Sequence, residues 1–253
     1  MCLGTTAENA TLTQKERDGI LSFCLENASG RAVIAGAGGN CTREAVKSVK
    51  RACSLGAQGV LSVCPYYNKP PESGIIAHFC KIAEASRVPV ILYDVPSRTG
   101  TEISVNAIYK LSGLHNITGI KAAGNDPEKL KEISALISDD FALFGGNDFL
   151  TVETLASGAA GLISAAANVM PNVFAKIIKC FFAGERQKAA EIFTEYETLI
   201  RALYVETNPV AVKYALSVAG LIKNELRLPM CPISHKNALI VEKALSKKIK
   251  EVL

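Results

Sequence analysis

The sequence lacks two patterns that indicate metal centres and nucleic-acid surfaces. It has only three histidines, and none combines with a carboxylate or cysteine at the spacing typical of metal ligands, so we expect no metal. It has no tryptophan, and no arginine-rich run with interleaved aromatic residues that would indicate nucleic-acid binding. The net charge of +4 is mild. We therefore expect neither a metal nor a nucleic-acid partner.

The sequence also has no long apolar run. Its least polar window, 159–170, is too short to span a bilayer, and the first residues lack the basic and apolar segments of a signal peptide. The eight cysteines are widely spaced without a C-x-x-C pair, which favours free thiols in a reducing compartment over disulfides. These features predict a cytoplasmic protein with no membrane partner.

Short apolar runs alternate with helical repeats, and this alternation predicts an α/β fold. Strands separated by one helix each form a parallel sheet through right-handed crossovers. A length near 250 residues is ordinary for a (β/α)8 barrel. The predicted strands are 32–35, 59–64, 89–94, 116–121, 141–144 and 161–165, with a short stub at 1–4.

A closed barrel of this type needs eight strands, and we predict six and a stub. The sequence therefore predicts a (β/α)8 TIM barrel lacking its first βα unit. After residue 167 the strand pattern ends and helical patterns follow at 171–183, 185–203, 209–219 and 235–252. We accordingly predict a barrel over residues 1–183 and a helical C-terminal extension over residues 184–253.

Lys121 stands at the carboxyl end of a predicted strand, where parallel α/β barrels place their catalytic groups. Burial there would remove hydration from the ammonium group and lower its pKa. The neutral amine could then attack a ketone and form a Schiff base. The structural alternative is a strand-end lysine whose ammonium group reaches solvent.

Other polar side chains follow neighbouring strands at the same edge. Tyr93, Thr5 and Tyr67 carry hydroxyl groups that could pass the protons an imine reaction requires. Thr5 and Thr6 could bind a small carboxylate, and the planar fork of Arg98 suits a second one. Each also has a purely structural interpretation. Tyr67 could pack at the rim, Thr5 and Thr6 could cap a turn, and Arg98 could be a turn residue paired with Asp94.

Several segments together resemble a known family: GTTAE, PYYNKP, ILYDVPSRTG, GIK, GLISAAANV, ETNPVAVKYAL and RLPMCPI. From Gly4 to about Ile233 the chain resembles the pyruvate-dependent, Schiff-base class I aldolases, which include dihydrodipicolinate synthase and N-acetylneuraminate lyase. The resemblance implies a lyase that condenses pyruvate with L-aspartate 4-semialdehyde to 4-hydroxy-tetrahydrodipicolinate in lysine (diaminopimelate) biosynthesis. It implies no cofactor, because the imine itself is the electron sink.

The resemblance also implies a role for each candidate residue. Lys121 would form the imine with pyruvate. Tyr93 would be the central proton donor and acceptor, and Thr5 would connect it to Tyr67. Thr6 would hold the pyruvate carboxylate.

Two further substrate contacts and an assembly follow from the same resemblance. Arg98 would receive the carboxylate of aspartate semialdehyde, and the Ile163 carbonyl would line the pocket. The tyrosine corresponding to Tyr67 reaches in from a neighbouring subunit in this family. A homodimer, paired into a homotetramer, is therefore implied.

The lysine feedback site of some family members is matched in part, by Asn40, Glu44 and Tyr66. Gln14 and Arg17 stand where lysine-sensitive enzymes often have histidines. Because the cation at Arg17 would repel bound lysine, we expect weak or absent inhibition by lysine.

Three other interpretations stay open on the sequence alone. A related aldolase could act on a sugar acid, such as N-acetylneuraminate or a 2-keto-3-deoxy acid. The chain could also be an inactive, truncated barrel. The glycines at 36–39 hint at a phosphate-binding or dinucleotide-binding loop, although they complete no G-x-G-x-x-G motif.

Overall fold

The computed structural model describes residues 1–246 and 248. They divide into two compact units: the first comprises 1–147 and 156–163, and the second comprises 148–155 and the residues from 164 onward. The predicted boundary between residues 183 and 184 stays a prediction. None of the helices in the described part of the chain is long and apolar enough to cross a membrane.

The first unit is built on a parallel sheet whose spatial order follows the sequence. Among the described residues it has six strands, as predicted: β1 (Ile34–Gly36), β2 (Gly59–Val63), β3 (Val90–Asp94), β4 (Ile117–Ala122), β5 (Ala142–Gly145) and β6 (Gly161–Leu162). The last strand is shorter than predicted. The stub at 1–4 contributes one parallel bridge, between Cys2 and Ala35.

Helices of the first unit connect the strands: α1 (Gln14–Glu26), α2 (Thr42–Leu55), α3 (Glu72–Ala85), α4 (Pro96–Thr99), α5 (Val105–Ser112) and α6 (Pro127–Ser134). Their ends follow local sequence. Thr13 and Glu16 form a capping box before α1, and Asp126 caps α6 ahead of a proline. Gly56 ends α2 with a φ of 101°, which a residue without Cβ adopts at little cost.

The sheet has two buried faces, and its strand residues alternate between them. Val90 and Leu92 of β3 lie in a large apolar cluster with helix residues such as Phe79. Ile91 and Tyr93 lie in a second, smaller cluster formed by strand and loop side chains. Because both faces are buried, the strands are apolar nearly throughout. The smaller cluster is the face on which the candidate catalytic residues lie.

The second unit is helical among its described residues: α7 (Thr151–Ala156, whose last residue belongs to the first unit), α8 (Pro171–Phe182), α9 (Arg186–Ala202), α10 (Val210–Val218) and α11 (His235–Ser246). The four helices predicted after residue 167 are therefore confirmed, within a few residues at their ends. The helix predicted over 235–252 is observed to residue 246. Its predicted remainder, apart from residue 248, lies outside the described residues.

Candidate active site

Lys121 and Tyr93 lie side by side on neighbouring strands. The register of β3 and β4 pairs these two residues directly. Only 8% of Lys121 and 7% of Tyr93 is exposed, and the lysine Nζ lies 4.2 Å from the centroid of the tyrosine ring. The alternative in which this lysine extends into solvent is therefore wrong. The structure brings together the predicted nucleophile and the predicted proton-transfer group.

The strand period explains why both side chains lie on the same face. Leu92 and Ile120, one residue earlier in each strand, are fully buried in the large helix-covered cluster. A strand reverses its side-chain direction at each residue. Tyr93 and Lys121 must therefore point to the opposite face, where Tyr93 packs with Leu61 of β2.

Gly146, just after β5, leaves the space that the Lys121 side chain occupies. A Cβ at this glycine would lie 2.7 Å from Lys121 Cε and 2.9 Å from its Cγ. The Gly146 N–H donates to the Ala122 carbonyl at 2.7 Å, so the backbone cannot move away freely. Gly146 was not predicted from the sequence. The signal was a pair of glycines at the end of the strand next to the lysine.

Ile163 borders the same cluster. It is partly buried and packs against the group that contains Tyr93. Its N–H donates to the Gly145 carbonyl at 2.8 Å, which extends the β5–β6 pairing by one residue. The backbone of Ile163 is thus held beside the strand that precedes Gly146. The role predicted for its carbonyl stays a prediction.

Arg98 is carried by α4, a single helical turn that follows β3 almost directly. Its side chain is exposed, and its N–H donates to the Val95 carbonyl at 2.9 Å. The turn is closed by Thr99, whose hydroxyl donates to the same carbonyl at 3.0 Å, and by Gly100 with a φ of 66°. Arg98 therefore lies just beyond the carboxyl end of β3, the strand that carries Tyr93.

Asp94, the residue after Tyr93, is bound on both carboxylate oxygens. One accepts from Lys129 Nζ at 2.7 Å, and the other accepts from the Ile103 N–H at 3.0 Å. The structural alternative pairs this aspartate with Arg98, and that pairing stays a prediction. Burial raises the pKa of the Asp94 carboxyl above its usual value, although the lysine opposes that shift.

Lys129 in turn lies between two carboxylates, since Glu102 accepts from its Nζ at 2.9 Å. Burial by itself lowers the pKa of Lys129. The charges and hydrogen bonds of Asp94 and Glu102 outweigh burial and raise the pKa above its usual value. The nearby Cys64 thiol has a pKa raised to about 12, first by burial and then by the charge of Asp94. This thiol is not activated as a nucleophile.

Thr5 and Thr6 lie in a short 3-10 turn that packs beside β1. Cys2 bridges to that strand on both sides, donating to the Ile34 carbonyl and accepting from the Gly36 N–H, each at 2.9 Å. A Cβ on Gly36 would overlap the carbonyl oxygen of Leu3, which directly precedes the turn at Gly4. Close backbone approach thus sets the turn near the carboxyl end of β1. Both threonines are partly buried there.

Tyr67 projects from the loop after β2 and is 87% exposed in the single chain. Its φ of 72° is uncommon for a bulky residue, and such a conformation costs about 1–2 kcal/mol. Neighbouring contacts hold the loop in place. The Tyr67 N–H donates to the Thr99 carbonyl at 3.4 Å, and the Asn68 amide donates to the Asn40 carbonyl at 2.9 Å. Its predicted partner across a subunit interface stays a prediction.

The residues predicted for lysine feedback are only partly connected. Asn40 and Tyr66 both contact Asn68, whose N–H donates to the Tyr66 carbonyl at 2.9 Å. Glu44 lies in the first turn of α2, where it accepts from Lys47 at 3.0 Å. That contact, more than the nearby Arg43, lowers the pKa of the Glu44 carboxyl. The feedback role stays a prediction.

No group of three or more histidine, cysteine, aspartate or glutamate side chains in residues 1–246 and 248 could hold a metal ion. The functional groups described at the site are the amine, the phenol, the hydroxyls and the guanidinium.

Comparisons with known proteins agree with one another. The model of the Dihydrodipicolinate synthetase family matches residues 1–248. A protein of Alkaliphilus oremlandii named 4-hydroxy-tetrahydrodipicolinate synthase is 42% identical over 236 residues, which are 93% of this chain and 81% of that protein. Dihydrodipicolinate synthase from Aquifex aeolicus superposes with a TM-score of 0.95 at 39% identity, covering 99% of this chain and 86% of that one.

The chloride-inhibited dihydrodipicolinate synthase of Acinetobacter baumannii, solved in complex with pyruvate, also superposes with a TM-score of 0.95. It is 35% identical, and the match covers 99% of this chain and 86% of that one. A family match over nearly the whole chain and relatives near 40% identity carry the same result. The chain belongs to the dihydrodipicolinate synthetase family.

Proposed function

We propose that this chain is a lyase that condenses pyruvate with L-aspartate 4-semialdehyde to give 4-hydroxy-tetrahydrodipicolinate, a step in lysine biosynthesis through diaminopimelate. The curated relatives are named for this activity. The observation that carries the proposal within the chain is the buried Lys121 amine, 4.2 Å from the ring centroid of Tyr93 at the carboxyl end of the sheet.

The first half of the proposed reaction builds a nucleophile from pyruvate. The neutral Lys121 Nζ attacks the keto carbon, and the resulting carbinolamine loses water to form an imine. The imine withdraws electrons from the adjacent methyl carbon, which loses a proton and becomes an enamine. Tyr93 is placed to supply and remove these protons. No cofactor is required, because the imine nitrogen accepts the electron pair.

The second half forms the new bond and releases the enzyme. The enamine carbon attacks the aldehyde carbon, and the aldehyde oxygen takes a proton to become the 4-hydroxyl group. The amino group of the same substrate then attacks the imine carbon and displaces the Lys121 amine. The ring closes, and the lysine returns to its starting state.

Substrate recognition in this proposal depends on charge. Arg98 receives the carboxylate of aspartate semialdehyde through its planar fork. Thr6 holds the pyruvate carboxylate, and the Ile163 carbonyl lines the pocket. Thr5 passes protons between Tyr93 and the Tyr67 side chain of a neighbouring subunit.

That relay requires a homodimer, because its second tyrosine comes from another copy of the chain, and the family resemblance implies that two such dimers pair into a homotetramer. The 87% exposure of Tyr67 supports this arrangement. The six strands would belong to a (β/α)8 TIM barrel lacking its first βα unit, with residues 184–253 as a helical extension. Sedimentation analysis tests the assembly: a monomer that turns over at full rate would contradict it.

The experiment that tests the function has two parts. The protein is incubated with pyruvate, reduced with sodium borohydride and mapped by peptide mass spectrometry; we expect a single pyruvyl adduct at Lys121. Turnover is then compared for L-aspartate 4-semialdehyde and N-acetylmannosamine as acceptors. An adduct on a different lysine would contradict the mechanism, and preference for the sugar would contradict the substrate.

A further inference from the structure

A charge cluster centred on the buried Asp94 carboxylate lies on the far side of β3 from the candidate catalytic residues. It consists of Asp94, Lys129 and Glu102, and the side chains are 3%, 14% and 58% exposed respectively. Lys129 Nζ joins the two carboxylates at 2.7 Å and 2.9 Å. Burying a carboxylate is costly unless its oxygens are bound. The position of Asp94 in the chain suggests a functional reason for burying its carboxylate.

Asp94 connects the segments that carry three candidate site residues. It follows Tyr93 directly. The Asp94 side chain accepts from the Ile103 N–H at 3.0 Å. The two ends of the segment from residue 94 to residue 103 are therefore joined by this hydrogen bond. That segment contains Arg98. The backbone carbonyl of Asp94 also accepts from the N–H of Ala123 at 2.9 Å, and Ala123 is two residues beyond the candidate imine lysine.

We infer that Asp94, held by Lys129, is a positioning residue that sets the Arg98 guanidinium relative to the Lys121 amine and thereby determines affinity for the carboxylate of the aldehyde substrate. The inference rests on the proposed function. Lys129 belongs to α6, the helix that follows β4, and its ammonium group binds the Asp94 carboxylate. The ion pair therefore connects the segment that contains Arg98 to the next βα unit.

The effect is expected on one substrate more than on the other. A shift of about 1 Å in a substrate-positioning group is enough to cost up to about a hundredfold in rate. The arginine turn is fastened at its far end by the Ile103 contact, whereas Lys121 is held within β4 by two neighbouring strands. Loss of the Asp94 side chain should loosen the turn and leave the lysine in place.

The test compares Asp94→Ala with Glu102→Gln. The control removes a charge from the same lysine but leaves the contacts of Asp94. We expect Asp94→Ala to raise the KM for aspartate semialdehyde at least about tenfold, with the KM for pyruvate and the borohydride adduct at Lys121 within about twofold of wild type. Glu102→Gln should stay within about twofold on every measure.

A third variant separates the hydrogen bond from the ion pair. Asp94→Asn keeps an oxygen for the Ile103 N–H but loses the charge that Lys129 binds. We expect it to recover at least half of the logarithmic loss in the aldehyde KM, which a general loss of stability would not produce. Should Asp94→Ala give no soluble protein, Lys129→Met replaces it, with an expected rise in the aldehyde KM of about threefold or more.

Two failures are distinguishable. Absence of the pyruvate adduct in the wild-type protein would overturn the proposed function, whatever the variants do. A wild-type enzyme that forms the adduct and uses the aldehyde, together with an Asp94→Ala variant whose KM for the aldehyde is unchanged, would overturn the inference alone. A proportional rise in both KM values would also overturn it.

Discussion

Two buried lysines on successive elements have opposite surroundings. Lys129 of α6 lies between the carboxylates of Asp94 and Glu102, whereas the Nζ of Lys121 in β4 lies over the ring of Tyr93. A paired carboxylate favours the ammonium form strongly. A ring face favours it by about 1–2 kcal/mol, and burial opposes it. In the proposed reaction, neighbouring side chains rather than residue type select which of the two amines forms the imine.

The largest expected effect comes from exchanging the two lysines for methionine. Lys121→Met should lower kcat by at least about a thousandfold and abolish the borohydride adduct with pyruvate, because no amine remains to form the imine. Lys129→Met should keep the adduct at Lys121. Peptide mapping and steady-state kinetics check both variants. An adduct at Lys129 in the Lys121→Met protein, or loss of the Lys121 adduct in the Lys129→Met protein, would contradict this assignment.

The next effect concerns the ring beside the reactive amine. Tyr93→Phe keeps the packing but removes the hydroxyl that transfers protons. We expect kcat to fall about a hundredfold or more, with the free energy of unfolding nearly unchanged. Tyr109→Phe on the exposed face of α5 is the matched control and should stay within about twofold. A Tyr93→Phe enzyme with wild-type kcat would remove the proposed acid and base.

A smaller effect is expected at Gly146. Alanine there places Cβ 2.7 Å from Lys121 Cε. The lysine side chain should then leave its preferred rotamer, at an energetic cost of about 1 kcal/mol. The rate of adduct formation should then fall about tenfold. Gly161→Ala is the control, because a Cβ in β6 meets no atom within 4 Å. Equal rates for the two alanine variants would show that this glycine does not shape the site.

The smallest effect is a pH dependence of stability at the other lysine. The pKa of Lys129 is raised in the folded protein, so its pairing stabilises the fold fully below the unfolded pKa and is lost as pH rises through the folded value. We expect the difference in free energy of unfolding between wild type and Lys129→Met to shrink above pH 10, by less than about 1 kcal/mol. Urea unfolding at several pH values checks this; a difference that grows would contradict it.

Secondary structure was well predicted, because helix caps and apolar runs are signals that extend over only a few residues. The capping box at Thr13 and the left-handed glycine at Gly56 each depend on residues within one turn of the helix end. The strands were found from apolar runs, since a parallel sheet buries both of its faces. The end of β6 was misplaced: residues 163–165 are apolar enough for a strand, and only pairing with β5 decides where the strand stops.

The candidate site was predictable in part. The position of Lys121 at a strand end and the motif around Arg98 indicated the chemistry and the family. Gly146 was not found, because the need for a missing Cβ arises from a side chain on another strand. The role of Asp94 was not found either. Its partners Lys129 and Ile103 are distant in sequence, and no local pattern joins them.

Local sequence is enough to predict the alternation of strands and helices, the helix ends and the presence of an amine, a phenol and a guanidinium at strand ends. It is enough because side-chain periodicity and capping act over a few residues. Which lysine faces a ring and which faces two carboxylates depends instead on long-range packing. Strand register and the packing of α6 set those neighbours, and both depend on contacts between residues far apart in the chain.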